Sequence, residues 1–215
     1  MERVAIVDYG MGNLRSVAKA VMHVAAGRHD VIVTEDATVV RNADRVVFPG
    51  QGAIGDCMRA IQHFGLEDAL AEAMAERPFL GICIGLQALF EQSEEDGGTP
   101  GLGYFRGKVT RFSASERDPT TGTALKIPHM GWNQVRHINA HPMWSGIESD
   151  ARFYFVHSFF VEPDDEDLIA GTSHYGETFT AAIANHNIFA VQFHPEKSQR
   201  AGLQMIENFL MWEPR

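Results

Sequence analysis

The chain has 215 residues, and its 28 acidic against 18 basic side chains give a formal net charge of −10. This acidic balance disfavours nucleic-acid and anionic-membrane partners, which need a basic footprint, and no apolar run reaches the roughly 20 residues of a membrane-spanning helix. Two cysteines are too few for a disulfide framework. We therefore expect a cytoplasmic protein, with one domain over residues 1–215 that has room for a substantial core.

The first half of the chain alternates short apolar runs with stretches of helical periodicity. Strands are predicted at residues 4–7, 31–33, 45–48 and 79–82, and helices at 14–25, 55–64, 66–76 and 85–92. Parallel strands need long crossover connections, which are usually helices. The alternation therefore predicts a parallel central sheet with helices on both faces.

In the second half the strand signals lie closer together, which indicates additional antiparallel strands. They cover residues 105–112, 135–138, 153–161, 168–174, 179–184 and 188–193, and an amphipathic helix follows near 203–210. Residues 94–103 are predicted to form an acidic, glycine-rich loop, and residues 113–124 a polar, exposed excursion. The two halves together predict an α/β fold with a mostly parallel sheet.

Residues 79–87 carry the clearest chemical signal. An apolar strand runs into Gly81-Ile82-Cys83-Ile84-Gly85 and a helix leaves it, which is the pattern of a nucleophile elbow with cysteine in place of serine. The sulfur would then lie at a helix N-terminus, where the helix dipole favours the thiolate. The alternative is a buried structural cysteine between glycines that allow close helix–strand packing.

A nucleophilic cysteine needs a base, and the base needs an orienting group. Among the ten histidines, His194 differs in context because it ends a strand and is followed by Pro195 and Glu196. Residues i and i+2 of an extended backbone face the same side, so the Glu196 carboxylate can hold one ring nitrogen and leave the other for the thiol. Most other histidines are expected to be surface or ordinary core residues.

A third element, Pro49-Gly50-Gln51-Gly52, breaks a strand with glycines. Such a turn can present a backbone N–H to the oxyanion of an acyl-transfer intermediate, although an ordinary strand–helix turn has the same pattern. The segment Gly10-Met11-Gly12-Asn13-Leu14-Arg15 lacks the third glycine of a dinucleotide fingerprint, and the histidines show no zinc spacing. We therefore expect no cofactor and no metal.

Taken in order, the PGxG, GxCxGxQ and HPE motifs resemble those of the class I (triad) glutamine amidotransferases. The resemblance implies a flavodoxin-like α/β domain that hydrolyses L-glutamine to glutamate and ammonia. It also implies a triad in which Cys83 attacks the side-chain amide, His194 moves the proton and Glu196 orients the ring. The implied oxyanion and substrate-binding residues are Gly50, Gln51, Gly52, Ile84, Gln87, Ser158 and Phe159.

Longer segments are similar to one group within that family, the glutaminase subunits of imidazole glycerol phosphate synthase. They are residues 8–17 (DYGMGNLRSV), 55–58, 128–133 (PHMGWN), 154–158 and 192–198. The similarity implies a heterodimer with a barrel-shaped cyclase subunit, which uses the ammonia to make imidazole glycerol phosphate and AICAR from PRFAR in histidine biosynthesis. The implied interface residues are Asn13, Met130, Trp132 and Lys197, with core packing as the alternative for Met130 and Trp132.

Two positions depart from the family's pattern. An aliphatic residue usually stands where this chain has Gln51, and tyrosine is common at the position of Phe159. A backbone oxyanion donor survives the first change, and backbone recognition survives the second. Three alternatives are also considered: a glutaminase subunit for aminodeoxychorismate or anthranilate synthesis, a non-catalytic regulatory subunit, and an unrelated cysteine hydrolase.

Overall fold

A computed structural model describes residues 1–10, 13–113 and 122–214 of the chain. The strands in these ranges are β1 (Arg3–Val7), β2 (Asp30–Thr34), β3 (Arg45–Gly50), β4 (Phe79–Cys83), β5 (Phe90–Ser93), β6 (Thr99–Pro100), β7 (Phe105–Arg111), β8 (His129–His137), β9 (Ala151–His157), β10 (Phe159–Pro163), β11 (Ile169–Tyr175), β12 (Glu177–Asn185) and β13 (Ile188–Val191). The helices are α1 (Leu14–Ala25), α2 (Ala37–Arg41), α3 (Ile54–His63), α4 (Glu67–Glu76), α5 (Ile84–Gln87) and α6 (Gln199–Met211).

Five neighbouring strands form the parallel part of one large sheet, in the order β2-β1-β3-β4-β13. This is the strand order of flavodoxin-like folds, with β13 as the fifth strand, so the predicted fold class is confirmed. Beyond β13 the sheet continues through β12, β10, β7, β5 and β6, with mostly antiparallel pairing, and β11, β8 and β9 branch from β12.

Right-handed crossovers place the helices on the two faces of this sheet. The connection from β1 to β2 leads toward one edge of the sheet, whereas the connections from β2 to β3 and from β3 to β4 lead toward the other edge. Right-handed connections therefore put α1 on one face and α2 and α4 on the opposite face. The contacts agree, because α1 packs against α6 whereas α2 packs against α4. None of the described helices is long and apolar enough to cross a membrane.

The helix predicted over residues 85–92 is wrong in its second half. The helix ends at Gln87, and residues Phe90–Ser93 form β5. Phe90 is fully buried and pairs with Phe105 of β7, so burial in the sheet overrides the local helical periodicity. The adjoining loop predicted at 94–103 contains the short strand β6.

The strand predicted over residues 153–161 is also wrong, because it is broken at Ser158 into β9 and β10. The strand predicted at 135–138 begins much earlier, at His129. Its extension lacks the alternation of apolar residues by which a half-buried strand is recognised. The five-residue helix α2 was not predicted, and most of the excursion predicted at 113–124 lies outside the described residues.

The carboxyl ends of β3, β4 and β13 meet at one edge of the sheet. Gly50 is the register partner of Cys83, and Val191 at the end of β13 is the register partner of Ile82. Ligands of open parallel sheets bind outside this edge. The fold therefore gathers the three motifs of the sequence, PGQG, GICIG and HPE, at one place.

Candidate active site at the carboxyl edge of the sheet

Cys83 is both the last residue of β4 and the residue that precedes α5. Its φ of 56° and ψ of −105° lie outside the regions that residues with side chains normally adopt. The flanking glycines are required by packing: a Cβ on Gly81 would lie 2.7 Å from the Gly85 carbonyl oxygen, and one on Gly85 would lie 1.9 Å from the Phe48 carbonyl oxygen. The glycines thus permit a sharp, strained turn that carries the thiol at its corner.

The His194 ring is buried beside the carboxylate that was predicted to orient it. Its Nδ1 lies 2.9 Å from Glu196 Oε1, and both side chains are almost completely buried. The Asn13 amide donates to the same carboxylate oxygen, so a residue predicted at the partner interface also contacts the predicted triad. The other ring nitrogen, Nε2, has no hydrogen-bond partner among the residues that the structure describes.

The charge of His194 is set by its neighbours. Burial alone would lower the pKa of His194, because it disfavours the charged ring. The Cys83 sulfur and the Glu196 carboxylate outweigh burial and raise the pKa to about 9, so the ring is protonated at neutral pH. A protonated ring with a free Nε2 can donate that proton.

The second cysteine provides an internal contrast. Cys57 lies in α3 and is completely buried. Burial raises the pKa of its thiol to about 12, although a hydrogen bond with Tyr9 opposes the increase. Cys57 is therefore a neutral core residue, which is the alternative that the sequence had left open for Cys83.

Two buried glutamines form a hydrogen-bonded chain that ends at the Cys83 sulfur. Gln192 Nε2 donates to Cys83 Sγ at 3.6 Å, and Gln87 Nε2 donates to Gln192 Oε1 at 3.1 Å. Gln87 was predicted as a substrate-binding residue, whereas Gln192 was not singled out. The available signal was its position two residues before His194, because alternate residues of an extended segment share a face.

The strand predicted to supply the oxyanion donor ends against Tyr9. The Tyr9 hydroxyl donates to the Pro49 carbonyl oxygen at 2.7 Å, and a Cβ on Gly50 would lie 2.3 Å from that hydroxyl. Gly52 has a φ of 108°, which requires glycine. Across the cleft, Ile84 is the first residue of α5, where backbone N–H groups lack partners within the helix.

A cavity of about 140 Å³ lies beside Cys83. This is below the roughly 300–1,000 Å³ of sites for drug-sized ligands, and it suits a ligand of amino-acid size. Glu95, in a loop to which the sequence assigned no role, lines this cavity, and its carboxylate accepts from the Ile54 N–H at 2.8 Å. The described lining residues are Gln51, Gly52, Cys83, Ile84, Gln87, Glu95, Pro128, Val156, His157, Ser158 and Phe159.

Three of the predicted interface residues lie outside this cavity. Met130 is 62% exposed and Trp132 is 41% exposed, so neither packs in the core. The Trp132 ring meets the Tyr154 ring edge-on at a centroid distance of 6.1 Å, and the Lys197 ammonium lies 5.8 Å from the centre of the same Tyr154 ring. These side chains form an aromatic and cationic surface on β8, β9 and the turn after His194.

The fold and the site define a class of protein. Residues 5–212 match the class-I glutamine amidotransferase family, and the chain belongs to that family. Its fold is shared by a crystal structure of a glutamine amidotransferase, with a TM-score of 0.70 and 15% identity over 96% of this chain and 97% of that one. A glutamine amidotransferase from Thermotoga maritima gives a TM-score of 0.59 and 15% identity over 98% and 83% of the two chains.

Relatives with much higher identity belong to one group of subunits. The chain is 58% identical to the imidazole glycerol phosphate synthase subunit HisH of Aromatoleum aromaticum over the full length of both chains. The HisH subunit of Thiobacillus denitrificans is 58% identical over 98% of this chain and 92% of its own, and that of Pseudomonas syringae is 52% identical over the full length of both. Within the amidotransferase family, the chain therefore groups with the HisH subunits.

Proposed function

We propose that this chain is the glutaminase subunit of an imidazole glycerol phosphate synthase and hydrolyses L-glutamine with Cys83, His194 and Glu196. The observation that supports this best is the charged His194–Glu196 pair, buried next to a cysteine on a strained strand–helix turn. A buried structural cysteine needs no such pair, as Cys57 illustrates.

In the proposed reaction, the Cys83 thiolate attacks the side-chain amide carbon of glutamine and forms a tetrahedral oxyanion. His194 donates its Nε2 proton to the amide nitrogen, which leaves as ammonia, and a glutamyl thioester is formed. The neutral ring then takes a proton from water, and the resulting hydroxide attacks the thioester. The carbon–sulfur bond breaks, glutamate is released, and the thiolate–imidazolium pair is restored. Glu196 holds Nδ1 throughout.

The cavity offers complementary groups for the rest of the substrate. Backbone N–H groups of Gln51 and Ile84 are proposed to hold the oxyanion, where one such donor is typically worth about 10²–10³ in rate. Glu95 lines the same cavity, and its carboxylate is proposed to bind the α-ammonium group of glutamine. Gln87 and the 158–159 backbone are proposed to position the remainder of the ligand.

The ammonia is proposed to pass to a cyclase subunit that makes imidazole glycerol phosphate and AICAR from PRFAR, within a cytoplasmic heterodimer. The exposed Met130 and Trp132 support an interface on β8, because large apolar side chains are typical anchors of protein interfaces. Asn13 contacts Glu196 and would link that interface to the triad.

The test compares Cys83→Ala with the matched variant Cys57→Ala, each supplied with PRFAR after assembly with the cyclase subunit. Cys83→Ala should abolish product formation from glutamine, because the nucleophile is gone, and ammonium salts should restore it. Cys57→Ala should keep most of the glutamine-dependent rate. Product formation from glutamine by Cys83→Ala would contradict the proposal.

A further inference from the structure

Two buried histidines have no part in the triad: His157 lines the proposed glutamine pocket, and His129 lies against His157. His157 Nε2 and His129 Nδ1 are 3.0 Å apart, and His157 Nδ1 is 2.8 Å from the Phe159 carbonyl oxygen. On the other side, Asn133 Nδ2 lies 3.3 Å from His129 Nε2 and 2.8 Å from the His174 carbonyl oxygen. The four groups thus form a continuous hydrogen-bonded row from Asn133 to Phe159.

The direction of this row follows from its acceptors. A carbonyl oxygen can only accept, so His157 Nδ1 carries the proton and its Nε2 accepts from His129 Nδ1. By the same reasoning, His129 Nε2 accepts from the Asn133 amide. Burial lowers the pKa of His129 to about 4 and that of His157 to about 3, so both rings are neutral at pH 7. The N–H donors of both rings therefore point toward Phe159.

The Phe159 carbonyl is held from two sides. Gln87 Nε2 donates to it at 3.0 Å from the side of the nucleophile, and Gln87 continues through Gln192 to the Cys83 sulfur. His157 donates to it from the side of β8. The placement of the 158–159 segment thus depends on the histidine row as well as on Gln87.

We propose that His157 and His129 are positioning residues for glutamine binding, which act by holding the Phe159 carbonyl in place. The proposal rests on the proposed glutaminase function. Neither ring has a role in the chemical step, so their loss should act on the KM for glutamine more than on kcat. The row also begins on β8, where Met130 and Trp132 face outward next to His129 and Asn133.

A packing role is the competing explanation, because the His129 ring stacks on Tyr175 at a centroid distance of 4.1 Å and on Phe155 at 4.9 Å. The two explanations predict different effects for two substitutions of His157. In His157→Asn the amide can reproduce the Nδ1 donor to Phe159 but fills less space, whereas His157→Phe fills the space of the ring and has no donor. A positioning role favours Asn, and a packing role favours Phe.

The experiment measures glutamine KM and kcat for each variant in the assembled enzyme with the cyclase subunit. His157→Phe should raise KM about tenfold, roughly the effect of one lost hydrogen bond to a buried acceptor, with kcat changed by less than about threefold. His157→Asn should return KM to within about threefold of the wild-type value. Tyr175→Phe is the matched control, because it alters the same ring cluster but removes a bond to the Lys126 carbonyl and none in the histidine row; its KM should be unchanged.

A wild-type KM in His157→Phe, or weaker glutamine binding by His157→Asn than by His157→Phe, would overturn the positioning role. Should His157→Phe fail to fold by circular dichroism, His129→Phe decides the question. It keeps a ring in the stack and should still raise KM several-fold, whereas an unchanged KM would overturn the proposal. A wild-type complex that releases no ammonia from glutamine would contradict the proposed function instead.

Discussion

Two buried histidine sites in this chain differ in charge at neutral pH: one is protonated and the other is neutral. At the first, His194 beside Glu196 has its pKa raised to about 9. At the second, burial lowers the pKa of His129 to about 4 and that of His157 to about 3. Burial acts in the same direction on all three rings, because it always disfavours the cation. The neighbours decide the outcome: the Cys83 sulfur and the Glu196 carboxylate outweigh burial at the first site, whereas the uncharged hydrogen-bond partners at the second site do not.

The comparison teaches that burial alone does not assign a histidine's role. A ring that is protonated at pH 7 and has a free Nε2 can deliver a proton to a leaving group. A ring that stays neutral keeps one donor and one acceptor in fixed positions, so it can hold a carbonyl group in place.

The largest effect is expected when the charged ring is removed. In His194→Asn the amide can replace Nδ1 and still donate to Glu196, which keeps the buried carboxylate paired, but the proton-transferring Nε2 is absent. Glutamine hydrolysis should fall by about 10³-fold or more. The measurement is ammonia release by the assembled enzyme, with ammonium-driven product formation as the control. A loss of less than tenfold would show that another group transfers the proton.

A smaller effect is expected when the ring keeps its place but loses its carboxylate. Glu196→Gln should lower the rate by less than His194→Asn does, since orientation and charge stabilisation are lost while the base remains. It should also lower the pKa of His194. The basic limb of the pH profile for kcat/KM, which reflects loss of the His194 proton near pH 9, should therefore move to lower pH. A basic limb that stays in place would contradict the role given to Glu196.

The smallest effect concerns the contribution of the second site, His129 and His157, to the stability of the fold. In the unfolded chain His129 and His157 bind protons near pH 6.5, whereas in the folded chain they do so only near pH 4 and pH 3. The unfolded state therefore takes up more protons in this range, and the free energy of unfolding decreases as the pH falls below 6.5. His129→Phe removes one of these two groups. Between pH 6.5 and pH 4 the variant should therefore lose about 2 kcal/mol less of its free energy of unfolding than the wild type does.

Urea titrations at several pH values measure this difference directly, and the wild-type curve at pH 7 serves as the reference. His194 acts in the opposite direction: its raised pKa stabilises the fold fully below pH 6.5, and this contribution is lost as the pH rises toward 9. Equal slopes for His129→Phe and the wild type on the acid side would show that His129 is not neutral in the folded state.

Much of the fold could be predicted from the sequence because its signals are local. The helix predicted over 14–25 agrees with α1, and the strand, turn and glycines around Cys83 lie within a few residues of one another. The helix predicted over 85–92 was wrong because pairing with β7, a contact outside the local window, decided the conformation of Phe90. The register of β8 with β9 likewise fixed a strand that has no regular apolar alternation.

In the candidate site, too, the local pairs could be predicted from the sequence and the long-range contacts could not. His194 and Glu196 were recognised because they are two residues apart, and the structure brings them together. The contact of Asn13 with Glu196 spans 183 positions and that of Gln192 with Cys83 spans 109. No periodicity or spacing encodes such pairs. They depend on which strand ends meet at the edge of the sheet.

The shared carbonyl of Phe159 has a consequence for what the cavity accepts. A carbonyl oxygen has two lone pairs, and here both are occupied, one by Gln87 and one by His157. In the proposed glutamine complex, the ligand ammonium group finds no acceptor at that position, and its proposed partner is the carboxylate of Glu95, which lines the cavity. Simple amides bring no cation to Glu95, so we expect them to bind poorly. Under the proposed function, selectivity for an amino acid thus arises partly from an acceptor that the protein has already filled.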